Sequence, residues 1–205
     1  MYSCAMARTK DPGVRALLIE RAAQMLRKRE PITLRSLVAG TGVSTMAVYT
    51  YFDGIDGLWK AVRQEGFTRL TGVLAGLAPT DDAVRDLAAL GSAYVANAAA
   101  NPDLYRVMFD ASVELEDPAG ADAGLRPLVE TVARATADGR FFAGTDPLAL
   151  ATQSWAIGHG LASLTINGPL PREALGYAVP MLTALFVQAG DEPDRCRASV
   201  SQGWG

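Results

Sequence analysis

Residues 32–52 read ITLRSLVAGTGVSTMAVYTYF, and the pattern in this stretch decides the fold. Thr33 is a strong N-cap for a short helix, with Ile32 before it and Leu37 four residues on, placed as a hydrophobic staple. That helix stops near Gly40, Gly42 supplies a turn residue able to take positive φ, and Ser44 caps the next helix, through about Tyr51. Two short helices joined by a glycine-containing turn make a helix-turn-helix, a motif whose second helix enters the major groove of DNA by its N-terminal residues. Leu37, Val38, Val43, Val48 and Phe52 supply the small core, leaving Thr45, Met46, Tyr49 and Thr50 outward.

Working outward, Val14, Leu18, Ala22, Met25 and Leu26 recur at helical spacing after the N-cap and N1 pair Asp11-Pro12, giving a first helix to about Lys28. After Asp53-Gly54 a long fourth helix carries the face Leu58/Trp59, Val62, Gly66, Leu70 and Val73/Leu74. A fifth helix, capped by Thr80, runs to about Ala99, and Asn101-Pro102 starts a short sixth. Residues 116–124 read as a loop, followed by a helix from about Leu125 to Asp138. Asp146-Pro147 begins another to about Ile166, and Pro171 begins the last, to Gln188, with Pro180 expected to kink it. No strand signal appears, so the chain reads as all-α with about nine helices. Residues 1–63 form a three-helix helix-turn-helix domain with an N-terminal arm, 64–190 a larger helical domain, and the polar stretch 191–205 a disordered tail.

At 49% hydrophobic and 20% charged, the 205 residues are not those of an intrinsically disordered chain. The net charge of −3 hides an asymmetry: residues 1–63 carry ten Lys or Arg against five Asp or Glu, and the remainder nine against seventeen. A basic module on an acidic one fits a protein whose first part alone meets an anionic partner, nucleic acid foremost. A non-specific architectural DNA binder is expected to be basic throughout. Two cysteines, Cys4 and Cys196, and a single histidine, His159, supply no metal site or redox pair, and an enzyme would need converging acid, base or nucleophilic groups. A Cys4–Cys196 disulfide has nothing in the sequence to favour it, and no cofactor is implied. No signal peptide or 20-residue apolar span is present, so the expected location is the cytoplasm.

The spacing of Gly42-Val43-Ser44, Val48-Tyr49 and Phe52 resembles the DNA-binding domain of the TetR family of one-component transcriptional regulators, over about residues 12–63. The resemblance implies a three-helix DNA-binding domain on a variable helical domain that binds a ligand and dimerises. Carried over by position, it implies that Thr45, Met46 and Tyr49 face base edges and that Thr33, Ser44, Thr50 and Tyr51 contact phosphates, with Arg35 able to do either. Tyr49 and Tyr51 have a second reading, packing against helix one. One departure stands out: family members commonly carry a lysine shortly after the Phe, where this chain has Ile55. The phosphate anchor is then lost or passed to Arg8, Lys10 and Arg15.

Residues 154–161, SWAIGHGL, resemble the Trp…His-Gly motif of one TetR subgroup, with Trp155 and His159 one helical turn apart. His159 is either a ligand contact or a histidine satisfied within the core or a dimer interface. Tyr105, Met108, Phe109, Phe141, Phe142 and Trp155 either line an apolar pocket or fill the core. The uncharged helices near 147–166 and 171–188 are expected to pair with their symmetry mates as a four-helix bundle. The reading is a ligand-responsive repressor that binds a palindromic operator as a homodimer and is released by a small apolar or aromatic effector. A constitutive DNA-binding regulator without a ligand is the alternative.

Overall fold

The computed structural model describes residues 11–117 and 119–205. Ten α-helices follow one another: α1 (Pro12–Arg27), α2 (Leu34–Val38), α3 (Thr45–Phe52), α4 (Ile55–Ala75), α5 (Ala83–Ala100), α6 (Pro102–Met108), α7 (Ala119–Ala137), α8 (Pro147–Ile166), α9 (Ala178–Gln188) and α10 (Pro193–Trp204). A 3-10 segment, Arg172–Tyr177, leads into α9, and there is no strand among the described residues. Asp11 caps α1 by accepting from Gly13 N, and Asp146 caps α8 by accepting from Leu148 N and Ala149 N, each followed by proline at the first helical position.

Two apolar cores share two helices. Leu18, Ala22 and Met25 of α1 pack with Leu37, Val48 and Phe52 of the helix-turn-helix and with Leu58, Ala61 and Val62 of α4. Leu104 of α6 completes that core, so the module draws on a helix well beyond residue 63. Further along, the same two helices enter the larger core, α4 through Phe67, Leu70 and Leu74 and α6 through Tyr105 and Met108. Met108 lies against Gly66, where a Cβ would stand 2.3 Å from its Cγ.

Four sequence expectations need correction. Thr80 does not cap α5: its N–H and hydroxyl donate to the Asp86 carboxylate at 2.8 and 2.7 Å, and Asp82 caps by accepting from Val84 N and Arg85 N. The loop expected up to Gly124 is already helical from Ala119, in keeping with the helix propensity of its alanines. Pro180 falls in the first turn of α9, where its missing N–H has no helical partner to lose, and the break lies instead at the 3-10 segment before it.

The fourth concerns the tail, which is the helix α10 rather than disordered chain. Arg140, 2% exposed, holds it in place: Nε and Nη2 donate to the two Asp191 carboxylate oxygens at 2.7 and 2.6 Å, and Nη1 donates to Asp82 at 2.6 Å. Ser199 of α10 donates to Asp82 at 2.5 Å, closing a buried charged network that joins residues up to 117 positions apart in sequence. Glu192 caps α10, Cys196 is buried and free, and Gly91 and Gly203 allow α5 and α10 to approach closely. Cys4 lies outside the described residues. No helix among the described residues is long and apolar enough to cross a membrane.

Candidate nucleic-acid interface and effector cavity

In the helix-turn-helix, Thr33 and Ser36 form a reciprocal capping box: Ser36 N donates to Thr33 Oγ1 at 3.1 Å and Thr33 N to Ser36 Oγ at 2.9 Å. Gly40 and Gly42 take φ of 73° and 72° in the turn, a left-handed conformation that glycine adopts without strain. Gly57, at the start of α4, passes so close to the end of α3 that a Cβ there would meet the Phe52 carbonyl oxygen at 1.6 Å. The result is a short, rigid α3 whose Val48 and Phe52 are buried and whose opposite face is open.

On that face Met46 is 66% exposed and Tyr49 51% exposed, with Thr50 beside them and Thr45 half-buried. Thr33, Arg35 and Ser44 are exposed, and the Ser44 hydroxyl makes no capping bond. Tyr51 stands apart, half-buried against the module core, its hydroxyl accepting from Asp11 N at 2.8 Å. Seven of the eight residues expected at DNA are thus exposed or half-exposed, while Tyr51 anchors the start of α1.

The basic groups flanking this edge are partly engaged already. Ile55 packs against the module core. Arg15 lies 5.6 Å over the Phe52 ring and pairs with Glu116 at 2.5 Å, while Lys60 pairs with Glu114 at 2.5 Å. The Glu114 carboxylate raises the Lys60 pKa through their hydrogen bond and is itself held below the usual carboxylate range. Both acids belong to the segment after α6, which Arg63 also grips by donating to the carbonyls of Met108 and Val113. Arg8 and Lys10 lie outside the described residues.

Behind the module, α4, α5, α7, α8 and α9 line a partly open, largely apolar cavity of about 140 Å3. Leu70 and Leu74, Leu87 and Leu90, Leu128 and Leu182 supply its aliphatic walls, and Phe109 and Trp155 its aromatic ones. A cavity of about 150 Å3 with a comparable lining stays dry and takes up benzene. Tyr94 also lines the space and leads to a polar cluster beside it. Its hydroxyl lies 2.8 Å from His159 Nδ1, the Tyr105 hydroxyl lies 2.9 Å from the same nitrogen, and Tyr105 also reaches the His159 carbonyl at 3.3 Å.

Burial governs the charge of this cluster. Desolvation lowers the His159 pKa, so the imidazole is neutral, and raises those of Tyr94 and Tyr105, so both phenols keep their protons. Phe109 stands edge-on to the imidazole at 4.5 Å and Trp155 lies 5.1 Å from it. The cavity and its polar border therefore carry no ionised group.

Of the residues expected at a pocket, Phe109 and Trp155 line the cavity, and Tyr105 and His159 border it. Met108 is instead the contact with Gly66 on α4. Phe141 packs on Phe186 with ring centres 5.7 Å apart, deep in the core, and Phe142 is 64% exposed on a separate surface. The leucines and Tyr94 were missed, because a leucine lining a void and one filling a core have the same helical spacing in sequence. No group of His, Cys, Asp and Glu that could hold a metal ion occurs among the described residues.

Comparison with known proteins agrees with this architecture. The family model described as "Tetracyclin repressor-like, C-terminal domain" matches residues 87–189. A protein of unknown function from Rhodococcus sp. RHA1 is 25% identical and superposes with a TM-score of 0.73, over 91% of this chain and 100% of its own. The TetR family transcriptional regulator PfmR from Thermus thermophilus is 16% identical, with a TM-score of 0.63 over 80% of this chain and 96% of its own. RolR, solved in complex with its ligand resorcinol, is 17% identical, with a TM-score of 0.64 over 93% and 94%. PfmR and RolR are likenesses of fold. No curated protein matches the chain in sequence.

Proposed function

The chain belongs to the TetR family of DNA-binding transcriptional regulators, and from there we propose that it is a homodimeric repressor whose operator binding is released by a neutral, one-ring effector. The cavity of about 140 Å3 carries this reading. A single ring fits its volume, and the absence of ionised groups on its lining favours a neutral molecule over an ion. The Tyr94, Tyr105 and His159 cluster offers a hydroxyl-bearing ring one polar partner. RolR, of the same fold, is solved with resorcinol, a molecule of this class.

Operator contact falls to Thr45, Met46 and Tyr49 at base edges and to Thr33, Ser44, Thr50 and Tyr51 at phosphates, with Arg35 available to either. The dimer forms through α8 and α9, which have no Asp, Glu, Lys or Arg. They leave Leu148, Leu164 and Met181 exposed, with Tyr177 just before α9. Pairing them with a second copy as a four-helix bundle removes this apolar surface from water. Release then requires an effector that favours a conformation in which the two α3 helices no longer match successive grooves. Helices α4 and α6, rooted in both cores, are the elements able to carry the change.

The experiment is a thermal-shift panel of benzene, phenol and resorcinol, followed by titration of operator DNA obtained from a randomised-duplex selection. A compound that raises the melting temperature should also weaken operator binding, about 5- to 150-fold for a typical coupling. Operator binding indifferent to every compound that stabilises the fold would leave the protein a constitutive DNA binder.

A further inference from the structure

A second cleft, of about 360 Å3, lies further along α5 and α8, toward their C-terminal ends, and has a different chemistry. Three arginines line it: Arg29 from the turn after α1, Arg106 from α6 and Arg172 from the 3-10 segment. Arg106 is fully employed, donating to Asp103 at 2.6 Å, Asn167 Oδ1 at 2.8 Å and the Ile166 carbonyl at 3.2 Å. It neutralises Asp103, the carboxylate of the lining. Arg29 and Arg172 have no acidic partner among the described residues, so the cleft carries two uncompensated positive charges. Val95, Ala99, Ile166 and Leu175 give it an apolar wall.

The end of α1 fixes where Arg29 stands. α1 ends in a Schellman motif, with Arg29 N donating to Leu26 O and Glu30 N to Met25 O, both at 2.9 Å. Arg29 holds the left-handed position of that motif, with φ of 55°, where glycine sits without strain and an L side chain does not. Here the strained residue is the one that brings a guanidinium from the DNA-binding module to a cleft otherwise built by the larger domain.

We propose that this cleft binds a small organic anion, a carboxylate or phosphate on an apolar stem, with Arg29 and Arg172 taking the anionic group and the apolar wall taking the stem. A guanidinium presents paired N–H donors that match either anion. Such a ligand would bridge the two modules. The assignment is independent of the neutral-effector reading, because the two sites have separate linings and opposite charge preferences.

The test is calorimetric titration of the full chain with octanoate and octyl phosphate, with octanol, octylamine and inorganic phosphate as controls, in the wild type and in Arg29→Gly and Arg172→Ala. The two amphiphilic anions should bind, the stronger of them identifying the head group, and each substitution should weaken binding about tenfold or more. Arg29→Gly should lose the ligand while keeping or raising the melting temperature, since glycine relieves the left-handed strain, so a failure to fold cannot explain the loss. Equal binding of octanol, binding untouched by both substitutions, or no binding of either anion would overturn the proposal.

Discussion

In α3 the residues available to a partner stand outside a closed core, Met46 and Tyr49 more than half exposed, whereas in the domain behind it the available residues surround a void of about 140 Å3. The first arrangement depends on side chains that cost little to change, because α3 is held by Val48, Phe52 and the close approach of Gly57 on its other face. The second depends on a frame of helices held apart, so its determinants are spread over five helices and a buried charged network. Stability and recognition are separable in the first region and entangled in the second.

The largest effect that tests this contrast belongs to the frame. Arg140→Ala leaves Asp191 buried without its partner, and we expect a loss of about 3–5 kcal/mol in urea denaturation. A loss below about 1 kcal/mol would show that α10 is held by packing alone. On the other side of the contrast, Tyr49→Ala should weaken specific operator binding by about 1–3 kcal/mol, as read by fluorescence anisotropy. Its melting temperature should barely move, since exposed substitutions usually change stability by less than about 0.5 kcal/mol.

A smaller effect concerns pH. Burial sets the His159 pKa below its ordinary value of 6.5. As pH falls through that value the unfolded chain takes up a proton that the folded chain does not, so stability declines until the lower folded pKa is passed. His159→Gln should flatten the decline in stability between about pH 7 and pH 5; an unchanged slope would assign it to other groups. The smallest effect is at the module's edge. Replacing both Glu114 and Glu116 by Gln frees Lys60 and Arg15 for phosphates and should tighten DNA binding at low salt by less than about fivefold, an effect that fades as salt is raised. Weaker binding would show that the acids position these cations rather than compete for them.

The same contrast explains what was legible in the sequence. Caps and turns act over a few residues, so Asp11, Thr33, Gly42 and Asp146 mark their elements as soon as they are read. The open face of α3 follows from helical periodicity once Val48 and Phe52 are assigned inward. Long-range partners leave no such mark. Arg140, Asp82, Asp191 and Ser199 are ordinary polar residues until the fold brings them together, which is why the tail reads as disordered and is instead helical. Aromatic content drew attention to Phe141 and Phe142, but the cavity is made chiefly by leucines, and a void has no residue type of its own.

The central claim is that the void and the outward face of α3 are linked, and measuring operator affinity at rising concentrations of a stabilising one-ring compound tests it most directly, in the wild type and in Leu128→Phe. Leu128 lines the cavity, and the larger side chain is expected to fill part of it. The account predicts that the compound weakens operator binding by the wild type, and that Leu128→Phe binds the operator but no longer responds to the compound. By linkage, operator DNA must weaken the compound's binding by the same factor. An identical response in Leu128→Phe, or operator affinity unchanged when the compound is saturating, would contradict it.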